Sequence, residues 1–241
     1  MSYNLLPRKL SWIIACSIFI HPVIAEESFE FPMISEVLRK VLFPQGDGGS
    51  KYFRIPAIIT AKNGDLLAVI DARRNTTRDL QHTRNIDIAF KRSSDNGQTW
   101  SDIDFITNFP DGEVGSDASL VMERETGKIL CFYNYLDHDT KFNKSRPSKT
   151  AVNYRYFLQT SDDHGKTWSQ PRDIRDEILQ DHLTRRDFVF VTSGRGMQTR
   201  SGLIIHTVVH VGKAGYLFGS SDQGKTWGAL KKASPFSPAN E

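Results

Sequence analysis

The chain has 241 residues, 39% apolar and 24% charged, with a formal charge of +3. That is enough chain for a sizeable core, and the composition excludes a disordered or fibrous protein. No basic patch or stripe stands out, which argues against a nucleic-acid partner.

The first segment, residues 1–25, differs from the rest. Arg8 and Lys9 precede the apolar run at residues 10–20, and Val23-Ile24-Ala25 has the small-residue form of a leader cleavage site. The run is short for a bilayer span, so the segment reads as a secretory signal peptide and the mature protein as secreted or periplasmic, with no membrane span. Ile13-Ile14-Ala15-Cys16 also resembles a lipoprotein cleavage box, but fewer apolar residues precede Cys16 than a signal core needs. Loss of Arg8 and Lys9 lowers the formal charge from +3 to +1. Cys131 is then the one remaining cysteine, which excludes a disulfide framework. Within "KILCFYNY" it reads as a small buried hydrophobe.

From residue 43 onward the chain predicts strands almost everywhere. "FRIPAIIT", "DLLAVIDA", "DIAFKRSS" and "DFITNF" form a first set over residues 43–110. "ASLVME", "KILCFYNY", "YRYFLQTS" and a short segment after Trp168 form a second over 111–180. "FVFVTSG", "GLIIHTVVHV", "GYLFGSS" and "GALKKA" form a third over 181–235. These runs are short, rich in β-branched and aromatic residues, and bounded by Gly, Asn, Asp and Pro. Helical periodicity is confined to "ISEVLRKVLF" and "RDEILQDHL". Four strands repeated at about 60 residues predict an all-β fold built from propeller blades.

Between the third and fourth strand of each set lies one motif, written "SSDNGQTW", "TSDDHGKTW" and "SSDQGKTW". Asp95, Asp163 and Asp222 can accept hydrogen bonds from the N–H groups of their own turns. Gly97, Gly165 and Gly224 tolerate positive φ, while Trp100, Trp168 and Trp227 offer apolar faces for packing. A catalytic acid is needed once, not once per blade. The repeated aspartate is therefore read as structural.

This repeat is the Asp box, and "KYFRIPAIIT" carries the Phe/Tyr-Arg-Ile-Pro signature that precedes it in sialidases. From about Phe43 to Glu241 the chain resembles a secreted bacterial exo-α-sialidase, which implies a six-bladed β-propeller. About three blades lie in this chain, with the start of a fourth at residues 239–241. The resemblance implies sialylated glycans, glycoproteins or glycolipids as substrates, and no cofactor or metal. Sialic acid bears a carboxylate at its anomeric carbon, and guanidinium groups grip carboxylates bidentately. Arg54 matches the first arginine of the family's triad. Arg73 matches a pocket arginine, although adjacent Arg74 could be the inward one because neighbouring strand residues face opposite ways. Asp79, in "RRNTTRDL", matches the general acid/base, with Asp87 as a rival at the opening of a strand. Asp117, in "GSDASLV", matches the aspartate near the sugar's O4 and N-acyl groups. "SGRGMQTRSG" resembles the third blade's Gly-x-Gly-Ile-Gln stretch, so Met197 and Gln198 either line the pocket or belong to a plain turn.

Glu241, in "SPANE", matches the glutamate that takes the proton from a tyrosine nucleophile. A neutral nucleophile avoids repulsion by the substrate carboxylate, and sialidases with a tyrosine nucleophile are the exception to the two-carboxylate scheme. None of Tyr52, Tyr133, Tyr135, Tyr154, Tyr156 or Tyr216 matches that nucleophile. The 241-residue chain alone is thus expected to be inactive. The alternative is an Asp-box propeller that binds glycans or proteins without hydrolysis, which has no need of Arg54, Asp79, Asp117 and Glu241 together. A different propeller glycosidase, using two carboxylates, has no use for Arg54. His206 and His210 in "HTVVH" read as a strand pair rather than a zinc site, since no glutamate follows the first. Asn75 and Asn143 fit glycosylation triplets, but a glycan at Asn75 would obstruct Asp79, so both read as chance. The polar stretch 137–149 reads as a loop at the pocket rim.

Overall fold

A computed structural model describes residues 40–75, 77, 85–137, 154–179, 189–210 and 214–230. Among the described residues, fourteen strands fall into three sets of mainly antiparallel pairs. The first consists of β1 (Tyr52–Thr60), β2 (Leu66–Arg73), β3 (Ile86–Ser93) and β4 (Asp104–Phe105), each paired with the next. The second repeats that meander with β5 (Val114–Met122), β6 (Ile129–Leu136), β7 (Tyr154–Ser161) and β8 (Arg172–Asp173). Helix α1 (Arg175–Ile178) follows. In the third set the inner strand is broken into β9 (Val189–Val191), β10 (Gly194–Arg195) and β11 (Met197–Gln198). β9 and β11 pair with β12 (Ile204–His210), which continues into β13 (Ala214–Ser220) and β14 (Gly228–Ala229). The middle piece, β10, leaves its own set and runs parallel to β5, with Gly194 opposite Ser119. This is a β-propeller arrangement of three blades.

Blades stack face to face, so a middle blade is apolar on both sides. β6 shows why its sequence does not alternate between apolar and polar. Ile129, Cys131 and Tyr133 face one core, shared with Leu67 and Val69 of the first blade. Leu130 and Phe132 face the other, shared with Val208 and Phe218 of the third. Period two persists, but both phases are buried. Each of the larger aliphatic side chains contributes about 1.5–3 kcal/mol by leaving water. Cys131 is fully buried, and burial pushes its thiol far above the usual range. Among the described residues no helix is long and apolar enough to cross a membrane.

The three Asp boxes close hairpins with one geometry. In the first, Ser93 Oγ donates to Asp95 Oδ1 at 2.7 Å and accepts the Gly97 N–H at 2.8 Å. Asp95 takes the N–H of Thr99 at 2.9 Å and its hydroxyl at 2.5 Å. Ser161, Asp163, Gly165 and Thr167 repeat these bonds, as do Ser220, Asp222, Gly224 and Thr226. Bonds from Thr99, first by its hydroxyl, hold the Asp95 carboxyl down to about 2. The residue ahead of each glycine, Asn96, His164 or Gln223, is also left-handed, at φ 59, 64 and 64°. The boxes of the second and third blades lean on the blade before. A Cβ on Gly165 would lie 3.1 Å from Leu67 Cδ2, and one on Gly224 would lie 3.1 Å from Leu130 Cδ2. Trp168 meets Phe90 edge-on at 6.3 Å, and Trp227 meets Phe132 edge-on at 5.0 Å. The boxes are seams between blades as well as turns.

Candidate functional site

Inner strands β1 and β5 each carry a bulge at the same level. Arg54 pairs with Asp71 and Ala57 with Val69, so β1 holds one more residue than β2 between those pairs. Ser116 pairs with Asn134 and Ser119 with Phe132, giving β5 the same excess over β6. The residue that breaks the pleat is left-handed in both: Ile55 at φ 58° and Asp117 at φ 61°. For a β-branched isoleucine this is an outlier, a backbone state that costs about 1–3 kcal/mol and clusters at functional sites. Pro56 tolerates the position because a bulged residue has no ladder bond to lose. The third blade interrupts its inner strand at the corresponding level, between Val191 and Met197, with Gly194 at φ 96°. Bulges re-aim side chains. Here they present Arg54 and Asp117 at one end of the blades.

The residues around them form one network. Arg54 is exposed, and its Nη1 lies 3.4 Å from the carbonyl of Thr77. Arg73 Nη1 reaches the same carbonyl at 3.2 Å. Arg73 is fully buried and its Nη2 lies 3.4 Å from Asp71 Oδ2, itself fully buried. Asp71 Oδ2 also accepts the Ser116 hydroxyl at 2.6 Å, and Oδ1 accepts the Asp117 N–H at 2.9 Å. Burial pushes the Asp71 carboxyl up to about 6, against the lowering pull of Ser116, Arg73 and the Asp117 N–H. The Asp117 carboxylate accepts Asn134 Nδ2 at 3.3 Å. Asn134 completes the chain by bonding both the carbonyl and the N–H of Val191, at 2.9 and 3.0 Å. The chemistry is that of an anion and polyol seat: a forked cation beside a carboxylate, both backed by a dry polar layer.

Among the sequence-derived residues, Arg54, Arg73 and Asp117 come together. Of the two adjacent arginines, Arg73 is buried within this network, while Arg74 pairs with Asp87 at 3.1 Å. Asp87 is buried and also accepts the Thr107 hydroxyl and the Phe109 N–H, which ties down a loop. Met197 is exposed, and Gln198 sits at the far end of its inner strand from Asp117. Its side chain bonds Glu123, Gly202 and the Arg124 N–H, so the structure gives Gln198 to a turn. His206 is buried at 2.6 Å from Ser119 Oγ and accepts the Thr207 N–H on Nδ1. Asp79, Glu241, Asn143, residues 1–25, the start of a fourth blade and most of the 137–149 loop lie outside the described residues. Asp71, Ser116, Asn134 and Thr77 carry the network yet drew no notice in the sequence. The one available signal was the acid two residues before Arg73, which shares its strand face. Tyr133, Tyr154 and Tyr156 are buried, and burial holds all three as neutral phenols.

Residues 55–238 match the family model described as a BNR repeat-like domain. The chain is 29% identical over 198 residues to a sialidase of Bacteroides fragilis, covering 76% of this chain and 35% of that protein. It is 33% identical over 199 residues to a sialidase of Micromonospora viridifaciens, covering 76% of this chain and 30% of that one. Among solved structures it aligns with Hadza microbial sialidase Hz136 at a TM-score of 0.67 and 27% identity, over 76% of this chain and 38% of the other. The chain thus spans about a third of the length of the curated relatives it matches.

Proposed function

Since the chain belongs to the BNR repeat-like domain family, we propose that it contributes the first blades of an exo-α-sialidase acting on terminal α-linked sialic acids of glycoproteins and glycolipids. One observation carries the reading. Arg54 stands exposed at one bulge and Asp117, half-buried, at the equivalent bulge of the next blade, with a buried carboxyl joining their backs. Arg54 grips the substrate carboxylate, and Asp117 receives the sugar's polar substituents. Asp79 protonates the leaving oxygen and then activates water, while Glu241 serves a tyrosine nucleophile, giving retention of configuration. A leader at residues 1–25 exports the enzyme. Residues 1–241 hold no tyrosine matching the nucleophile, so this chain alone shows no turnover.

The roles separate by leaving group. In the complete-ring enzyme, Asp79→Ala is expected to slow cleavage of sialyl-galactose by about 10²–10⁴-fold, the usual worth of general acid help. An aryl sialoside, whose phenol leaves without a proton, is expected to lose far less in its first step. Glu241→Ala is expected to slow both. Equal losses on both substrates for Asp79→Ala would overturn the assignment.

A further inference from the structure

Asp71 has a counterpart in the next blade. It pairs with Arg54 just before the bulge of β1, and Asn134 pairs with Ser116 just before the bulge of β5. Both side chains reach from a second strand to the inner strand of the following blade. Asn134 does this as a neutral amide, matching one donor and one acceptor of Val191. A plain seam between blades asks for no more. Asp71 offers acceptors only, and it turns them on three donors: the Ser116 hydroxyl, the Asp117 N–H and Arg73 Nη2. A fully buried carboxylate costs several kcal/mol unless paired and hydrogen-bonded. An amide in its place would set a donor against a guanidinium.

From this difference we infer that Asp71 is a positioning residue: its carboxylate fixes the left-handed backbone of Asp117 and the guanidinium of Arg73, so that both lie in register with Arg54. The inference rests on the sialidase reading for what binds there, but the positioning itself does not. Asp71 is buried behind Asp117 and acts through Asp117 and Arg73. Among the described residues, its bonding partners are Arg73 from its own strand and Ser116 and Asp117 from β5, and Arg54 is its cross-strand neighbour on β1. Its raised carboxyl, near 6, makes the contact observable, because the Asp117 N–H reports the protonation state of its acceptor.

The test uses ¹H–¹⁵N spectra of the full chain. In the wild type the Asp117 amide proton is expected to move with a midpoint near 6, while the Val191 amide, held by Asn134, stays flat. In Asp71→Asn the Asp117 amide is expected to shift upfield by about 1 ppm and lose its titration, a change that general loosening would not confine to one site. An Asp117 amide that neither titrates near 6 in the wild type nor moves in the variant overturns the inference, and the wild-type measurement decides it should the variant fail to fold. In the second arm, N-acetylneuraminic acid is titrated into the complete-ring enzyme with and without Asp71→Asn, with affinity expected to fall about 10-fold or more in the variant. An unchanged affinity beside a moved Asp117 amide also overturns it, since the positioning would then serve no site. Failure of the wild type to bind the sugar acid counts against the sialidase reading alone, because the amide arm still decides the positioning.

Discussion

Gly97 and Gly165 occupy the same place in two Asp boxes, with φ of 84 and 81°, yet they meet different neighbours. A Cβ on Gly97 would lie 3.5 Å from Leu66 Cδ1, an ordinary contact. On Gly165 it would lie 3.1 and 3.3 Å from the two methyl carbons of Leu67, which is fully buried and has nowhere to swing. Gly97→Ala therefore carries only the left-handed backbone cost, about 1–2 kcal/mol. Gly165→Ala adds overpacking of about 1–3 kcal/mol, giving about 2–5 kcal/mol in all. Urea unfolding followed by tryptophan fluorescence separates the two. A Leu67→Ala background isolates the steric part, since the truncated side chain makes room for the new methyl. Coupling of about 1–3 kcal/mol is expected between Leu67→Ala and Gly165→Ala, and none between Leu67→Ala and Gly97→Ala. Equal costs for the two glycine variants, or no coupling at Gly165, would refute the claim that the second box is seated on the first blade.

Three further outcomes follow from the same geometry. Arg54→Lys, in the complete-ring enzyme, is expected to raise KM for a sialoside about 10-fold or more with a smaller effect on kcat, because a point charge replaces a fork; an unchanged KM removes Arg54 from the site. Asp163→Ala, in the same complete-ring enzyme, is expected to lower stability by about 1 kcal/mol or more through the lost turn bonds while leaving turnover in place, and intact stability with lost turnover would refute the structural role of the boxes. His206 is held near 4 by burial, below its usual 6.5, so its contribution is complete above 6.5 and is lost as pH falls towards 4, by about 3 kcal/mol. Asp71, raised to about 6, has the opposite sign: folding favours its protonated form, and stability rises as pH falls from 6 towards 3.8. The two offset in the wild-type curve, so the check is the stability difference between wild type and His206→Gln at pH 7 and pH 4.5. A difference independent of pH would refute the assignment to His206.

The boxes were legible because everything that makes them lies within eight residues: a serine, an acid, a glycine, a threonine and a tryptophan at fixed spacing. What they rest on was not legible, since Leu67 reaches Gly165 from another blade. The residue ahead of each glycine shows the limit of local reading too. Asn96 and His164 suit the left-handed region, whereas Gln223 gives no sign of it. Arg54 and Asp117 could be picked out only through resemblance; that both stand at bulges depends on strand register, which no local pattern states. Asp71 escaped notice for a plainer reason. Its partners Ser116 and Asp117 lie 45 and 46 residues away, across a blade boundary. In sequence it is one polar residue interrupting an apolar strand. Arg73 and Arg74 were indistinguishable by alternation alone; in the fold Arg73 is buried beside Asp71 and Arg74 pairs with Asp87.

The seating of the second and third boxes on the blade before gives assembly a direction. Gly165 needs Leu67 and Gly224 needs Leu130, and in both cases the seat precedes the turn in the chain. A ribosome adds about 5–20 residues each second, so one blade emerges over several seconds, ample time for its hairpins to form. The boxes of the second and third blades therefore meet a surface that already exists when they are made. Circular permutation that opened the chain between β4 and β5 and placed the first blade last would reverse that order for Gly165. Its folded stability should change little, while its yield during synthesis should fall.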